Sequence, residues 1–159
     1  MPRRTTSLSE LIRSLTELLA PGEDCMTGSY FWYARKYPNF YITNRSIFGY
    51  KKIRVEYYDD DGHLRSGRGI AYLEIPKGAK VYAPSHHGKM RASSAWVRYI
   101  GVIGKQGGVG RGWSIYSGKF TYRLGCKVRP SSKFSMAARD CESGIHFFRT
   151  YTSAKGFNF

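Results

Sequence analysis

A chain of 159 residues with 42% hydrophobic content can bury one respectable core, so a single domain with at most a short appendage is expected. Its charge is lopsided: 26 Lys and Arg against 11 Asp and Glu give a formal +15, well beyond what a small domain needs for solubility. No apolar run has the length of a membrane span, the first residues do not read as a secretory leader, and Cys25, Cys126 and Cys141 lack Cys-x-x-Cys spacing, so a reducing compartment is expected.

The chain opens on a basic arm, MPRRTT. Ser7-Leu8-Ser9-Glu10 then has the form of a capping box. Leu8, Leu11, Ile12, Leu15, Leu18 and Leu19 follow at helical spacing, which predicts an amphipathic helix ended by Pro21-Gly22. Its leucine stripe docks either on the protein's own core or on a partner. Residues 1–28 are thus an arm plus a helix, and residues 29–159 form a single β-rich domain.

The high aromatic share favours pleated surfaces. Short strands are expected in SYFWYARKY (29–37) and NFYITNRSIF (39–48), followed by a hairpin in which KKIRVEYY (51–58) returns as LRSGRGIAYLEIP (64–76). Ile53, Val55 and Tyr57 alternate with Arg54, Glu56 and Tyr58, and Asp61-Gly62 supplies the turn. Asp59, Asp60 and Asp61 lack the ligand spacing of a calcium loop and read as turn chemistry. AWVRYIGVIG is another strand. KQGGVGRG has neither the Walker pattern nor the dinucleotide fingerprint and reads as a flexible hairpin tip, whose Lys105 and Arg111 are candidates for touching a phosphate.

KFTYRLGCKVR (119–129) reads as one long strand. Phe120, Tyr122, Leu124, Cys126 and Val128 alternate toward a core, while Lys119, Arg123, Lys127 and Arg129 form a basic row opposite. From Pro76 to Arg139 there is no acidic residue, yet half of the chain's Lys and Arg lie there. So dense a positive charge calls for an acidic or polyanionic partner.

CESGIHFF (141–148) collects chemistry-bearing side chains, but at period two both sides are apolar, which describes a covered central strand with His146 buried in the sheet. A zinc site from Cys141, His146, Cys126 and His86 or His87 lacks signature spacing, and a Cys141 nucleophile activated by His146 lacks an identifiable third group. No metal and no cofactor is expected.

LEIPKGAKV (73–81), MRASSAWV (90–97), YRLGCKVRP (122–130) and CESGIHFF with Ala154 beyond it together resemble a domain of uncharacterised function from large DNA viruses of algae and amoebae and from phages, often found C-terminal to pentapeptide repeats. The resemblance spans about residues 70–159. In this sequence the amphipathic stripe and aromatic strands stand where the repeats would be. What it implies is a viral setting.

The expected fold is mainly β (α+β), with antiparallel sheets in a compact barrel- or sandwich-like domain and one N-terminal amphipathic helix. The expected function is a non-enzymatic virion component, a minor capsid or internal protein in the virion and, during assembly, in host cytoplasm or nucleus. It would bind capsid proteins through Lys105, Arg111, Lys119, Arg123, Lys127 and Arg129. The alternatives are a DNA- or RNA-coating protein and an enzyme using His146 and Cys141.

Overall fold

The computed structural model describes residues 39–84, 88–139 and 142–157. The predicted N-terminal helix with its leucine stripe, the strand over 29–37, His86, His87 and Cys141 lie outside the described residues.

Strand β1 (Phe40–Ile42) ends at a bend over residues 43–46, so the predicted single strand 39–48 is two. The buried Thr43 hydroxyl fixes this corner by donating to Pro76 O at 2.6 Å and accepting from the Ala79 amide at 3.0 Å. Beyond it, β2 (Ile47–Tyr58) pairs antiparallel with β3 (Leu64–Ile75) along its whole length, as the alternation predicts. Ile53 and Val55 are fully buried and Arg54, Glu56 and Tyr58 are exposed. The Asp59 carboxylate organises the turn by accepting from the amides of Asp61 and His63 and from Arg65 Nε. Gly62 takes the left-handed φ of 79° that a side chain disfavours.

The remaining strands are β4 (Lys80–Tyr82), β5 (Met90–Ala92), β6 (Ala95–Val102), β7 (Arg111–Trp113), β8 (Thr121–Arg123), β9 (Lys127–Val128) and β10 (Ile145–Phe147), followed by helix α1 (Tyr151–Gly156). Six of them form an antiparallel sheet in the order β8-β7-β2-β3-β6-β9. Its two edges, β8 and β9, are joined by residues 124–126 alone, so the sheet curls until its edges are neighbours and nearly closes as a barrel. Closure is hydrogen-bonded: Leu124 N donates to Gly110 O, Gly125 N to Val97 O and Val97 N to Cys126 O, at 2.7 to 3.0 Å.

The predicted continuous strand 119–129 is therefore corrected. Gly125, at φ 79°, turns the chain between two short strands. Tyr122 and Val128 reach the core, but Leu124 and Cys126 fall on the turn and are exposed. The glycine-rich loop is likewise more than a hairpin tip, since it carries the chain from β6 to β7 on the other side of the β2–β3 hairpin. Gly108 bridges to Gly101, and a side chain at Gly108 or Gly112 would collide with backbone.

A second antiparallel sheet has the order β1-β4-β5-β10. Tyr41, Val81, Ala92, Ile145, Met90 and Phe147 lie on one face and join the barrel residues in a single core. Burying each large apolar side chain contributes about 1.5 to 3 kcal/mol. The other face bears the row Phe40, Tyr82, Arg91, His146. Arg91 is 1% exposed, stacks 4.2 Å from the Tyr82 centroid and donates to the carbonyls of Ser135, Ala137 and Arg139, which straps residues 135–139 over this face. Reciprocal Tyr50–Phe148 backbone bonds link the sheets. In α1, Thr150 caps the amide of Ser153, and Ala154 is fully buried against Ile70 and Phe148. None of the described helices is long and apolar enough to cross a membrane.

A Cβ on Gly69 would sit 2.6 Å from Gly101 O and 2.7 Å from Val55 Cγ1, both held by the barrel. Gly69→Ala is expected to lower the unfolding free energy by about 1 to 3 kcal/mol in a urea titration. Gly110→Ala, which meets nothing within 4 Å, should stay within about 1 kcal/mol of the parent.

Candidate functional site

Strand β2 turns its odd-numbered residues inward, and among them, between Gly49 and Ile53, is Lys51. The absence of a side chain at Gly49 lets the Phe147 ring pack where a Cβ would sit. With Phe147 thus docked, β10 runs beside Lys51, whose Nζ donates to His146 O at 3.1 Å. That bond satisfies a carbonyl at the free edge of the four-stranded sheet.

The cleft beside this contact has a volume of about 450 Å³. Lys51 and Lys89 contribute its cations, Ser114, Ser131, Ser132 and Ser143 are among its hydroxyls, and Tyr116, Phe120 and Tyr122 supply rings. Its one carboxylate among the described residues, Glu142, lies 3.2 Å from Arg139 Nη2. Burial, reinforced by the charge of Lys89, lowers the Lys51 ammonium to about 8. Burial, followed by the charges of Lys51, Lys89 and Arg91, pushes the His146 imidazole down to about 3, so it is neutral at physiological pH. Its buried Nε2 has no hydrogen-bond partner among the described residues. Burial pushes the Tyr122 phenol far above its ordinary range.

The sequence expectation for His146 is thus corrected. It is half-buried on an edge strand and lines a cleft, because β10 pairs only with β5.

On the outside of the barrel, strand register assembles a second positive region. Arg68, Arg54, Trp113 and Thr121 are successive partners across β3, β2, β7 and β8, and Arg111 faces Arg123 beside them. The guanidinium carbons of Arg54 and Arg111 lie 5.5 and 4.9 Å from the Trp113 ring centroid. All four arginines are exposed, and none forms an ion pair with a described residue. Glu56 is the carboxylate nearest along β2 on this face.

Of the predicted anion-binding residues, the fold therefore joins Arg111 to Arg123 and separates the others. Lys127 lies with Arg98 over Trp96, Lys105 sits 5.8 Å from the Tyr57 centroid, and Lys119 and Arg129 are exposed. The expected row of Lys119, Arg123, Lys127 and Arg129 does not exist as a row, because the turn at 124–126 interrupts the strand and pairs Arg123 with Arg111 on β7 and Lys127 with Trp96 on β6. Asp59, Asp61 and His63 cluster in the hairpin turn, where Arg65 and the His63 amide hold the Asp59 carboxyl below its usual range.

Residues 37–154, which carry both the cleft and the arginine face, match a family of unknown function, DUF5758. The chain belongs to this family. No curated protein and no solved structure matches it. The DUF5758 region includes β1 and the whole β2–β3 hairpin, so Lys51 and Arg54 are part of the family domain.

Sequence reasoning passed over Lys51, Lys89 and Arg91. The signal for Lys51 was present, since continuing the parity of Ile53 and Val55 back by one step puts a lysine on the core face. For Arg91, whose partners are carbonyls 44 to 48 residues away, no local pattern exists.

Because the folded state holds His146 neutral and the unfolded chain binds its proton near pH 6.5, stability should fall as pH drops from about 6.5 toward 3. Thermal melts between about pH 7 and 5.5, above the range where most carboxylates protonate, are expected to show that slope, and His146→Gln should flatten it.

Proposed function

We propose that the domain is a non-enzymatic binding component of a virus particle, which fastens an acidic patch of a neighbouring capsid protein to the outer arginine face of its barrel. The observation that carries this reading is the register-built group of Arg54, Arg68, Arg111 and Arg123 around Trp113. Four exposed guanidiniums within a few residues repel one another, and an acidic partner removes that cost. Planar forks of this kind suit carboxylates and phosphates alike. The viral setting rests on the resemblance of the 73–81, 90–97, 122–130 and 141–148 segments to domains of large DNA viruses and phages.

A DNA or RNA coat is the second reading, favoured by the same four arginines. Trp113 speaks against it as a single-strand binder, because an indole already covered by two guanidiniums is not the open platform on which bases stack. The cleft, for its part, presents ammonium and hydroxyl donors beside a neutral imidazole, an arrangement suited to holding an anion.

The double variant Arg111→Glu with Arg123→Glu tests the reading, since reversal creates repulsion against either partner. It should fold with an unchanged melting temperature, because exposed charges add little to stability, and it should be excluded from assembled particles. Undiminished incorporation would refute the capsid role. Tight nucleic-acid binding by the parent at about 0.15 M salt, with a log-log salt slope of about 0.9 per phosphate contacted that flattens in the variant, would establish the second reading instead.

A further inference from the structure

We propose that the cleft between the β10 edge and the β7–β8 connection binds a phosphate ester of a small ring-bearing molecule, with Lys51 and Lys89 holding the phosphate and Tyr116 and Phe120 flanking the ring. This site is separate from the outer arginine face and does not depend on the partner assigned to it.

Lys51 has more donors than acceptors among the described residues. An ammonium carries three hydrogens and no acceptor. Lys51 Nζ has one hydrogen-bond acceptor, His146 O at 3.1 Å, and sits 6.0 Å from the Tyr122 ring centroid. A half-buried cation on the core face of a strand is costly unless an anion or several acceptors surround it. Lys89, the second cation of the cleft, lies 6.0 Å from the Tyr116 ring centroid. The lining carboxylate, Glu142, is engaged by Arg139. An anion entering here therefore meets two positive charges, while Arg139 offsets the charge of Glu142.

The choice of phosphate over a lone carboxylate follows from stoichiometry. A phosphate monoester brings a charge of about −1.5 to −2 and three strong acceptor oxygens, which two ammoniums and the lining hydroxyls of Ser114 and Ser131 can share. The Ser132 hydroxyl donates to Ser143 Oγ at 3.0 Å and the Ser143 hydroxyl to Ser132 O at 2.9 Å, so this pair shapes the wall of the cleft. A ring-bearing body follows from size and lining. The cavity of about 450 Å³ falls in the range of small-molecule sites and is far larger than a bare phosphate. Tyr116 and Phe120 give it aromatic walls, while the neutral His146 imidazole adds no charge of its own.

Calorimetric titration of the full chain with AMP, inorganic phosphate and adenosine tests the assignment. AMP should bind, phosphate should bind more weakly and compete with it, and adenosine should bind at least about tenfold more weakly than AMP. Lys89→Gln should lower AMP affinity at least about tenfold with an unchanged melting temperature, and Arg111→Glu with Arg123→Glu should leave it unaltered. If Lys51→Gln fails to fold, Lys89→Gln and Ser131→Ala carry the test. Absence of AMP and phosphate binding at millimolar concentration, adenosine binding as well as AMP, or full AMP affinity in Lys89→Gln would each overturn the proposal. Phosphate binding with no gain for AMP would overturn the ring-bearing part.

Discussion

Strand β2 cannot turn Ile53 and Val55 into the core without turning Lys51 inward as well, because side chains two apart on a strand share a face. This parity is the constraint on which the rest of the molecule depends. The same inward series contains Gly49, whose missing side chain admits Phe147, and Phe147 brings β10 against the barrel. The ammonium then finds an acceptor on the edge of β10, so one charged side chain joins the barrel to the four-stranded sheet. A methyl-for-ammonium exchange would remove the desolvation cost of that lysine, and its presence on the core face is the reason to regard the adjoining cleft as a site.

Closure of the barrel governs the outer surface in the same way. Joining β8 to β9 through three residues places Arg123 beside β7, where register sets it opposite Arg111, and pairs Lys127 with Trp96 on β6. Positive charge that is spread along the sequence is thus gathered into an arginine group around Trp113 and a smaller group of Arg98 and Lys127 around Trp96. A strapped segment completes the fold. The Arg91 guanidinium, enclosed by rings and three carbonyls, fixes residues 135–139, and Gly144 packs on its aliphatic stem, where a Cβ would come within 2.9 Å. A wall of the cleft therefore depends on an arginine that never reaches it.

Much of the β architecture was legible locally. The β2–β3 hairpin, its turn and the strand at 95–102 follow from period-two alternation and Asp-Gly chemistry, which are properties of neighbouring residues. What misled was alternation that persists through a turn: Leu124 and Cys126 continue the apolar pattern of Tyr122, yet Gly125 at φ 79° takes them out of the sheet. The bend at 43–46 divided another apparent strand for a similar reason. His146 read as central because both its neighbours are apolar, whereas edge or centre is decided by pairing with β5, 53 to 57 residues away in sequence. The cleft was illegible as a unit, since Lys51, Lys89 and His146 meet only through the packing of two sheets, although the inward parity of Lys51 could have been read.

The most direct test is a nuclear magnetic resonance titration of the Lys51 side-chain amine in the full chain, assigned by comparison with Lys51→Arg. This ammonium should lose its proton near pH 8, far below the ordinary lysine value of about 10.4, and added phosphate should raise its midpoint by favouring the charged form. A midpoint near that ordinary value, unmoved by phosphate, would show Lys51 to be fully solvated and would contradict the desolvated cation on which the cleft is built.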